Sequence, residues 1–204
     1  MQNKKKQILD AAIRCFARKG YDATSIQEIA DELGMAKGSL YFYFKSKDDL
    51  LVSVIDYYGE MMFVMMRELP SEAGLPPREK LALQLERQYR FIREHLDFMK
   101  MMMREPQTGI HPHIREMMLR LHARSKLWYL NHVLSIYGEE AEFCSADAAA
   151  LLSGIGSQYF QAMMFENQAF DEWRLSRFLV KRFDDMMTAM LREGGGAILP
   201  PPDL

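Results

Sequence analysis

Residues 24–44 read TSIQEIADELGMAKGSLYFYF, and they contain the signals of two short helices separated by a glycine. Ser25 followed three positions later by Glu28 forms a capping box, which predicts the start of a short helix. The turn at residues 34–36 then leads into a second short helix that begins at Lys37. Two short helices joined by a tight turn containing glycine are typical of a helix-turn-helix, whose second helix enters the major groove of DNA.

The residues before this stretch predict one more helix, which would brace the other two. Apolar side chains recur there at helical spacing, and Gly20 stands where a glycine commonly ends a helix. The recurring positions are Leu9, Ala12, Ile13 and Phe16. The pattern therefore predicts a three-helix DNA-binding domain over residues 1–47, with Leu40 and Phe44 in its core.

Several residues of this domain are candidates for contact with DNA. Thr24 and Ser25 lie at a helix start, where backbone N–H groups favour binding of a phosphate. Plain helix capping is the alternative, and one residue can serve both roles. Lys37 suits a guanine edge or a phosphate, and Gly38 permits close approach of the backbone to DNA. The complete expected set is Thr24, Ser25, Gln27, Lys37, Gly38, Ser39, Tyr41, Tyr43 and Lys47.

Some members of this set have an ordinary explanation as well. Gln27 is equally compatible with a solvated surface position. Tyr41 and Tyr43 combine an apolar ring with a hydroxyl donor, which suits the sugar-phosphate wall, and packing in the core is the alternative. Lys47 opens the next helix and is expected to hold a phosphate beside the positive helix end.

The run from Gly20 to Leu51 resembles the DNA-binding segment of the TetR family of transcriptional regulators. The likeness is carried by GY at 20–21, TSIQEIA at 24–30, LGMAKGSLYFYF at 33–44 and SKDDLL at 46–51. The resemblance implies a dimeric, all-helical protein whose N-terminal domain binds a near-palindromic operator and whose C-terminal domain binds a small-molecule inducer. Two residues depart from the family pattern: Ala36 stands where serine is common, and Phe42 where a tyrosine often donates to a phosphate.

Proline and glycine divide the remaining sequence into further helices without a strand pattern, so we predict an all-α fold. A long helix from Lys47 to about Leu69 would join the two domains as a lever. Residues 48–193 are expected to form a ligand-binding and dimerisation domain, and residues 194–204, with three glycines and three prolines, a mobile tail. Further helices are predicted from about Arg78 to the break at Pro106, from about His113 to Tyr137, from about Ala146 to Glu166, and from about Asp171.

Methionine is unusually frequent, with 17 in 204 residues, and many lie in clusters. Because methionine is flexible and polarizable, it lines surfaces that adapt to varied apolar ligands; an ordinary core is the alternative. The expected ligand-binding residues are Met65, Tyr89, Met99, Met103, Met117 and Trp128. An acidic group of a ligand could meet Arg90, His95, Arg104 or His122, each of which also fits an ordinary surface position.

The last two helices are expected to form the interface of a homodimer. Small residues along one side of the first helix would let a neighbouring backbone approach, and the second adds an apolar face. The expected interface residues are Ser153, Gly156, Ser157, Phe160, Leu179, Phe183 and Met186. Two helices from each subunit would make a four-helix bundle with two-fold symmetry, and packing within one subunit is the alternative.

The overall net charge of −2 conceals two parts of opposite sign. Residues 1–47 carry nine Lys and Arg against five Asp and Glu, whereas residues 48–204 carry 17 against 23. A basic N-terminal domain suits DNA, and an acidic remainder disfavours wrong orientations on it.

No sequence motif favours an enzyme, a cofactor or a metal site. The two cysteines, Cys15 and Cys144, lie far apart, and His111-Pro112-His113 is only a weak metal pattern. No signal peptide or membrane span is indicated, which favours a cytoplasmic protein. We expect a dimeric repressor that binds a palindromic operator and is released by a mainly apolar molecule; the alternative is a helical small-molecule-binding protein or enzyme without specific DNA binding.

Overall fold

The structure is a computed structural model that describes residues 2–104, 112–195 and 197–200. Every regular element in these ranges is helical, which confirms the predicted fold class. The α-helices are α1 (Gln2–Lys19), α2 (Ile26–Glu32), α3 (Lys37–Tyr43), α4 (Lys47–Met65), α5 (Pro77–Glu94), α6 (Leu96–Arg104), α7 (Pro112–Tyr137), α8 (Ser145–Phe165) and α9 (Glu172–Glu193). Short 3-10 helices cover Pro70–Glu72 and Gly138–Cys144.

These helices group into two compact units. The first draws on Met1–Met61 and His95–Arg120, and the second on Met62–Glu94 and Leu121–Leu204. None of the helices in the described ranges is long and apolar enough to cross a membrane.

The first unit is organised around α1, which packs against both α2 and α6. Its core consists of large apolar side chains that are almost completely removed from solvent. They include Ile8 and Phe16 of α1, Ile29 of α2, Leu40 of α3, Leu50 of α4 and Phe98 of α6. Burial of each such side chain contributes about 1.5–3 kcal/mol relative to exposure, so α1 holds the short α2 in place, and α2 in turn packs against α3.

The second unit is organised around α9, which packs along α5 and also against α8. The buried side chains of α9 follow helical spacing at Leu175, Leu179, Phe183 and Met187. On α5 the matching stripe is Leu81, Leu85 and Tyr89. These two stripes form the apolar centre of the unit.

Two helix boundaries differ from the sequence prediction. Helix α4 ends at Met65 instead of about Leu69. The guanidinium of Arg87 donates hydrogen bonds to the carbonyls of Met65, at 3.1 Å, and Arg67, at 2.6 Å, so these end carbonyls are satisfied by a side chain from α5. The helical block after residue 77 is also interrupted, at His95, between α5 and α6.

Part of the C-terminal tail, residues 194–204, which is expected to be mobile, is hydrogen-bonded to the rest of the chain. The backbone N–H groups of Ile198 and Leu199 donate to the carboxylate of Asp147, at 2.7 Å and 3.0 Å. Asp147 lies in the first turn of α8, so this portion of the tail is held at the start of that helix. Gly196 and residues 201–204 lie outside the described ranges.

Candidate nucleic-acid interface

The start of α2 is fixed by the capping box that the sequence predicts. The Glu28 N–H donates to the Ser25 hydroxyl at 3.2 Å, and the Ser25 N–H donates to the Glu28 carboxylate at 2.8 Å. Lys19 pairs with the same carboxylate from the end of α1. Lys19 first, and then the backbone and hydroxyl of Ser25, lower the pKa of Glu28 to about 2, so the carboxylate stays charged at neutral pH.

The turn between α2 and α3 depends on one glycine. Gly34 has a φ of +61°, in the left-handed region that side chains with a Cβ rarely adopt. Its N–H donates to the carbonyl of Asp31 at 3.0 Å, which ends α2. Ala36 occupies the N-cap of α3 without a side-chain hydrogen bond, as expected from its departure from the family pattern.

Helix α3 has a buried side and a broad exposed side. Leu40 is fully buried, and Phe44 just beyond the helix is nearly so, which confirms both as core residues. The candidate residues Lys37, Gly38, Ser39 and Tyr41 are exposed, together with Phe42. Tyr43 is half-buried. Because the inward residues anchor the helix, its outer face is presented on a rigid support.

Thr24 and Lys47 are engaged inside the protein. Thr24 is only 2% exposed, and its hydroxyl donates to the carbonyl of Gly20 at 2.7 Å. Lys47 is half-buried; its ammonium donates to the carbonyl of Asp22 at 3.2 Å and lies 4.1 Å from the ring centre of Tyr21. These contacts favour structural roles for both residues over the phosphate contacts suggested by their positions.

Ser25 and Gln27 remain on the outside of the first unit. Ser25 is exposed, although its hydroxyl oxygen takes part in the capping box. The Gln27 side-chain amide is exposed and donates to the carboxylate of Asp31 at 2.6 Å, within α2. Both side chains are therefore accessible to a ligand, each with a local partner already in place.

A cluster around Glu32 holds α1 against α2. Its carboxylate accepts from Arg14 at 2.8 Å, from the Cys15 thiol at 3.1 Å and from Arg18 at 3.2 Å. Burial, and then Glu32, raise the pKa of Cys15 to about 11, so this thiol stays protonated. The sequence pattern did not reveal this cluster, because its members lie on different helices.

The expected ligand-binding residues are divided between the two units. Met99 and Met117 belong to the first, where Met99 is half-buried and Met117 is buried against α4. The Met117 Cγ lies 3.0 Å from the position that a Cβ on Gly59 would take, so that glycine makes room for it. The side chain of Met103 lies outside the described residues, as do those of Arg104 and His113 and the whole of His111.

In the second unit, Met65 is half-buried and Tyr89 is buried. The indole of Trp128 donates to the side-chain oxygen of Gln84 at 2.8 Å, and Nε2 of His132 lies 3.1 Å from the same oxygen. Burial lowers the pKa of His132 to about 4, so its ring is neutral at physiological pH.

A buried carboxylate extends this polar cluster, which no pattern in the sequence indicates. Glu72 is 3% exposed, pairs with Arg87, and accepts from the Gln84 amide at 3.3 Å and the Leu69 N–H at 3.0 Å. Burial by itself would raise the pKa of Glu72, but these donors, Arg87 foremost, stabilise the charged form and the net shift is downward. Glu72 and Arg87 lie 15 residues apart, and Gln84 and Trp128 lie 44 apart. The cluster therefore forms only in the folded protein.

The residues suggested for an acidic ligand group have varied surroundings. Arg90 pairs with Glu86 one turn earlier on α5, at 2.5 Å, and His122 is exposed. The ring of His95 lies 5.7 Å from that of Tyr58. In the described residues no group of three or more His, Cys, Asp or Glu is arranged to hold a metal.

Three of the expected interface residues are instead buried within the chain. Gly156 faces Tyr89, while Leu179 and Phe183 are 1% exposed in the core of the second unit. The expectation is corrected for Leu179 and Phe183 because the apolar stripe of α9 packs on α5 of the same chain, and for Gly156 because it packs against Tyr89 of α5. Ser153, Phe160 and Met186 are partly exposed, and Ser157 is exposed.

Large apolar side chains that are exposed lie elsewhere on the last two helices. They are Leu151 and Phe165 of α8, and Trp173 and Phe178 of α9. An open groove of about 380 Å³ lies between the end of α8 and the start of α9, walled by the rings of Tyr159, Phe170 and Phe178.

Comparison with known proteins agrees with this geometry. The family model for bacterial regulatory proteins of the tetR family matches residues 8–54. Two uncharacterised HTH-type transcriptional regulators of Bacillus subtilis match nearly the whole chain. YerO is 35% identical over 194 residues, covering 94% of this chain and 67% of that protein, and YuxN is 33% identical over 190 residues, covering 93% and 65%. The chain thus spans about two thirds of the length of these relatives.

Solved structures show the same fold. A TetR transcription regulator from Haloarcula marismortui superposes with a TM-score of 0.72 at 18% identity, covering 91% of this chain and 98% of that one. The transcriptional regulator FadR from Bacillus subtilis, in complex with stearoyl-CoA, superposes with a TM-score of 0.59 at 22% identity, covering 87% and 96%. Together with the identity to YerO over most of the chain, these likenesses show that the protein belongs to the TetR family of helix-turn-helix transcriptional regulators.

Proposed function

We propose that this regulator is a repressor that binds a palindromic operator as a homodimer and is released by a mainly apolar small molecule. The observation that carries the proposal is the exposed face of α3, supported from behind by the buried Leu40 and Phe44. A rigid helix with an exposed polar and aromatic face is what reading of a major groove requires. The site of action of such a protein is the cytoplasm, where the DNA is.

The proposed DNA contacts are the candidate residues that are exposed or half-buried in the structure and whose polar groups are accessible. Base edges are assigned to the exposed residues of α3, and phosphates to the flanking positions on α2 and α3. The set is Ser25, Gln27, Lys37, Gly38, Ser39, Tyr41 and Tyr43. Thr24 and Lys47 support this surface from inside, because their polar groups already have intramolecular partners.

Binding to DNA duplexes tests this proposal. The full chain is titrated with a duplex from its own promoter region and with a random duplex of equal length, at physiological salt and at two higher salt concentrations. We expect preferential binding of the promoter duplex and a steep fall of affinity with salt, because phosphate contacts release counterions. Equal affinity for both duplexes would reject the proposal.

The homodimer is proposed to form through the exposed apolar side chains Leu151 and Phe165 of α8 and Trp173 and Phe178 of α9. Gly154 lies on the same helix as Leu151, and a Cβ added there would meet nothing within 4 Å. No packing within the described chain therefore calls for this glycine, whereas close approach of a partner helix does. The groove between the two helices offers a place for a side chain of the second copy.

Sedimentation of two matched variants tests the interface. Phe178→Glu places a charge on the proposed interface and should convert the dimer to a monomer at micromolar concentration. Leu127→Glu makes the same change on α7, where Leu127 is also exposed, and should leave the dimer intact. A dimer that survives Phe178→Glu, or one that dissociates with Leu127→Glu alone, would exclude this interface.

The ligand is proposed to lie in the second unit beside α5 and α7. Half-buried Met65 and Trp128 offer adaptable apolar walls, while Tyr89 uses its hydroxyl inside the core. Gln88 of α5 is 8% exposed, and its amide nitrogen has no hydrogen-bond partner within the described residues. An unpartnered buried donor is costly, so an acceptor on a ligand, such as a carbonyl or carboxylate oxygen, would satisfy it. The stearoyl-CoA bound by FadR makes acyl chains a natural first choice.

Thermal unfolding in the presence of palmitate, stearoyl-CoA or a hydrophobic cation tests this part of the proposal. A ligand that binds only the native state raises the midpoint, and the stabilisation grows with the logarithm of 1 + [ligand]/Kd. The same compound should release the protein from its operator, because a ligand shifts a conformational equilibrium only by its differential affinity for the two states. Gln88→Leu should lower the affinity for an acyl ligand while leaving DNA binding unchanged. Absence of stabilisation by all three classes would count against an apolar effector.

A further inference from the structure

Phe42 is an exposed aromatic side chain in the last turn of α3. It is 74% exposed, whereas its helix neighbour Leu40 is fully buried. Its ring stands edge-on to that of Tyr43, with the ring centres 5.4 Å apart. Exposure of a large apolar ring to water is unfavourable, and this one is oriented by a neighbouring ring on the helix that faces the proposed DNA.

Gly38 lies one helical turn before Phe42 on the same side. At about 100° per residue, both positions lie about 160–200° around the helix from the buried Leu40, so together they form its outermost ridge. A Cβ added at Gly38 would meet nothing within 4 Å, and its φ is not in the left-handed region. Gly38 is the second residue of α3, and glycine is a poorer helix former than alanine. Since nothing within the described fold needs a glycine here, the missing side chain leaves room for something outside.

The polar side chains of α3 flank this ridge. Lys37 and Tyr41 lie to one side, with the Lys37 ammonium 6.0 Å from the Tyr41 ring centre, and Ser39 lies to the other. These groups carry donors for phosphates and polar base edges. The ridge itself offers only a bare backbone and a phenyl ring.

The major groove contains one apolar group, the 5-methyl of thymine. A phenyl ring has neither donor nor acceptor, so pressing it against any other base edge would desolvate a polar group without replacing its hydrogen bond. We infer that Phe42 is a specificity-determining residue that reads a thymine methyl in each half-site, with Gly38 providing the clearance that lets the ridge enter the groove. This inference rests on the DNA-binding function proposed above.

Replacement of single thymines by deoxyuridine tests the inference, because it removes the 5-methyl and nothing else. Duplexes are first selected from a random library with the full-length protein, and each thymine of the selected sequence is then replaced in turn. One buried methyl corresponds to about a fourfold loss of affinity per half-site, and to about 15-fold when both half-sites are changed. We expect one thymine position to show this loss with the wild-type protein.

The same duplexes are then measured with Phe42→Ala and with Tyr41→Phe. Phe42→Ala should abolish the difference between thymine and deoxyuridine at that position, and unchanged thermal unfolding should show that the exposed side chain is not needed for folding. Tyr41→Phe, the matched control, should leave the difference intact.

The outcomes separate the two proposals. If a duplex is selected but no thymine responds, or if the response persists in Phe42→Ala, the inference about Phe42 is overturned while DNA recognition stands; the ring would then lie against sugars. If no duplex is selected over random sequence, the proposed function fails, and the inference about Phe42 fails with it.

Discussion

The Tyr89 hydroxyl donates a hydrogen bond of 2.8 Å to the carbonyl of Gly156, the residue whose missing Cβ would lie 3.1 Å from that same hydroxyl oxygen. Tyr89 belongs to α5 and Gly156 to α8. A side chain at position 156 would push the tyrosine hydroxyl away from the α8 backbone by a few tenths of an ångström. Burial raises the pKa of Tyr89 well above its usual value, so the hydroxyl keeps its proton and remains a donor.

This relationship predicts that the effect of Gly156→Ala on the free energy of unfolding differs in sign between the wild-type protein and Tyr89→Phe. Gly156→Ala should destabilise the protein by about 1–2 kcal/mol, because displacement of Tyr89 weakens a buried hydrogen bond and outweighs the helix propensity gained by alanine. In Tyr89→Phe, where the hydroxyl is gone, Gly156→Ala should become neutral or stabilising. Urea denaturation of the four proteins measures the coupling.

Gly154→Ala supplies the control, two residues away in the same helix and with open space around its Cβ. Measured in the Phe178→Glu background, where no partner helix is expected to pack on position 154, it should stabilise the subunit by up to about 1 kcal/mol. Identical effects of alanine at positions 154 and 156 would contradict the packing described here.

The Arg87–Glu72 pair predicts a large loss when one member is removed. Arg87→Met leaves the buried Glu72 carboxylate without its cation and the end carbonyls of α4 without their donor. Breaking such a pair costs about 3–5 kcal/mol. Adding Glu72→Gln should recover part of the loss, since the stranded charge is then gone.

Arg90→Met tests the specificity of this effect. Arg90 also pairs with a carboxylate, Glu86, but its own side chain is half exposed. Exposed helical pairs contribute about 0.3–0.5 kcal/mol, so its removal should be barely measurable by chemical denaturation. Comparable losses for Arg87→Met and Arg90→Met would show that burial of Glu72 is not the cause.

Stability is predicted to fall in mildly acidic solution because of His132. Burial lowers its pKa in the folded state to about 4, with Lys80 acting in the same direction and Glu68 and Glu72 opposing, whereas the unfolded value is about 6.5. A proton therefore prefers the unfolded chain. The stabilisation is nearly complete above pH 6.5 and is lost as the pH falls toward 4, with about 2 kcal/mol lost by pH 4.5.

Thermal unfolding of His132→Gln between pH 7 and pH 4.5 measures this contribution. The variant should lose less stability over that window than the wild-type protein. His122→Gln, at an exposed position, should follow the wild-type curve. Parallel curves for the wild-type protein and His132→Gln would exclude His132 as the titrating group.

Lys37 and Lys47, each the first residue of a helix, are predicted to have different roles: Lys37 in DNA binding and Lys47 in stability. Lys37→Ala, at an exposed position of α3, should cost about 1–3 kcal/mol of DNA binding and relax preference at one base pair, with no change in unfolding. Lys47→Ala should instead lower stability by about 0.5–1 kcal/mol, because its ammonium packs over Tyr21 and donates to Asp22.

Selection of bound duplexes and thermal unfolding, applied to both variants, separate the two effects. Lys126→Ala, on α7, is the control that should leave both measurements unchanged. An unaltered base preference in Lys37→Ala, with equal weakening on every sequence, would assign Lys37 to a phosphate instead.

Features that depend on near neighbours in the chain can be predicted from the sequence alone. The capping box of Ser25 and Glu28, the uncapped start of α3 at Ala36 and the turn at Gly34 all arise from contacts a few residues apart. Most helix ends followed for the same reason, since caps and breakers act locally. Even the exposure of Lys37 and the burial of Leu40 follow from helical periodicity on a short helix with one buried side.

The partner of each apolar helix face, by contrast, depends on how distant helices pack. The stripe of α9 at Leu179 and Phe183 is equally suited to a second subunit or to α5, and periodicity does not distinguish them. The same holds for three positions whose partners lie on another element. Gly156 packs against Tyr89, Thr24 donates to the carbonyl of Cys15, and Lys47 lies over the ring of Tyr21. A helix pattern fixes the direction of a side chain around its own axis, whereas the identity of what lies there depends on how distant helices pack.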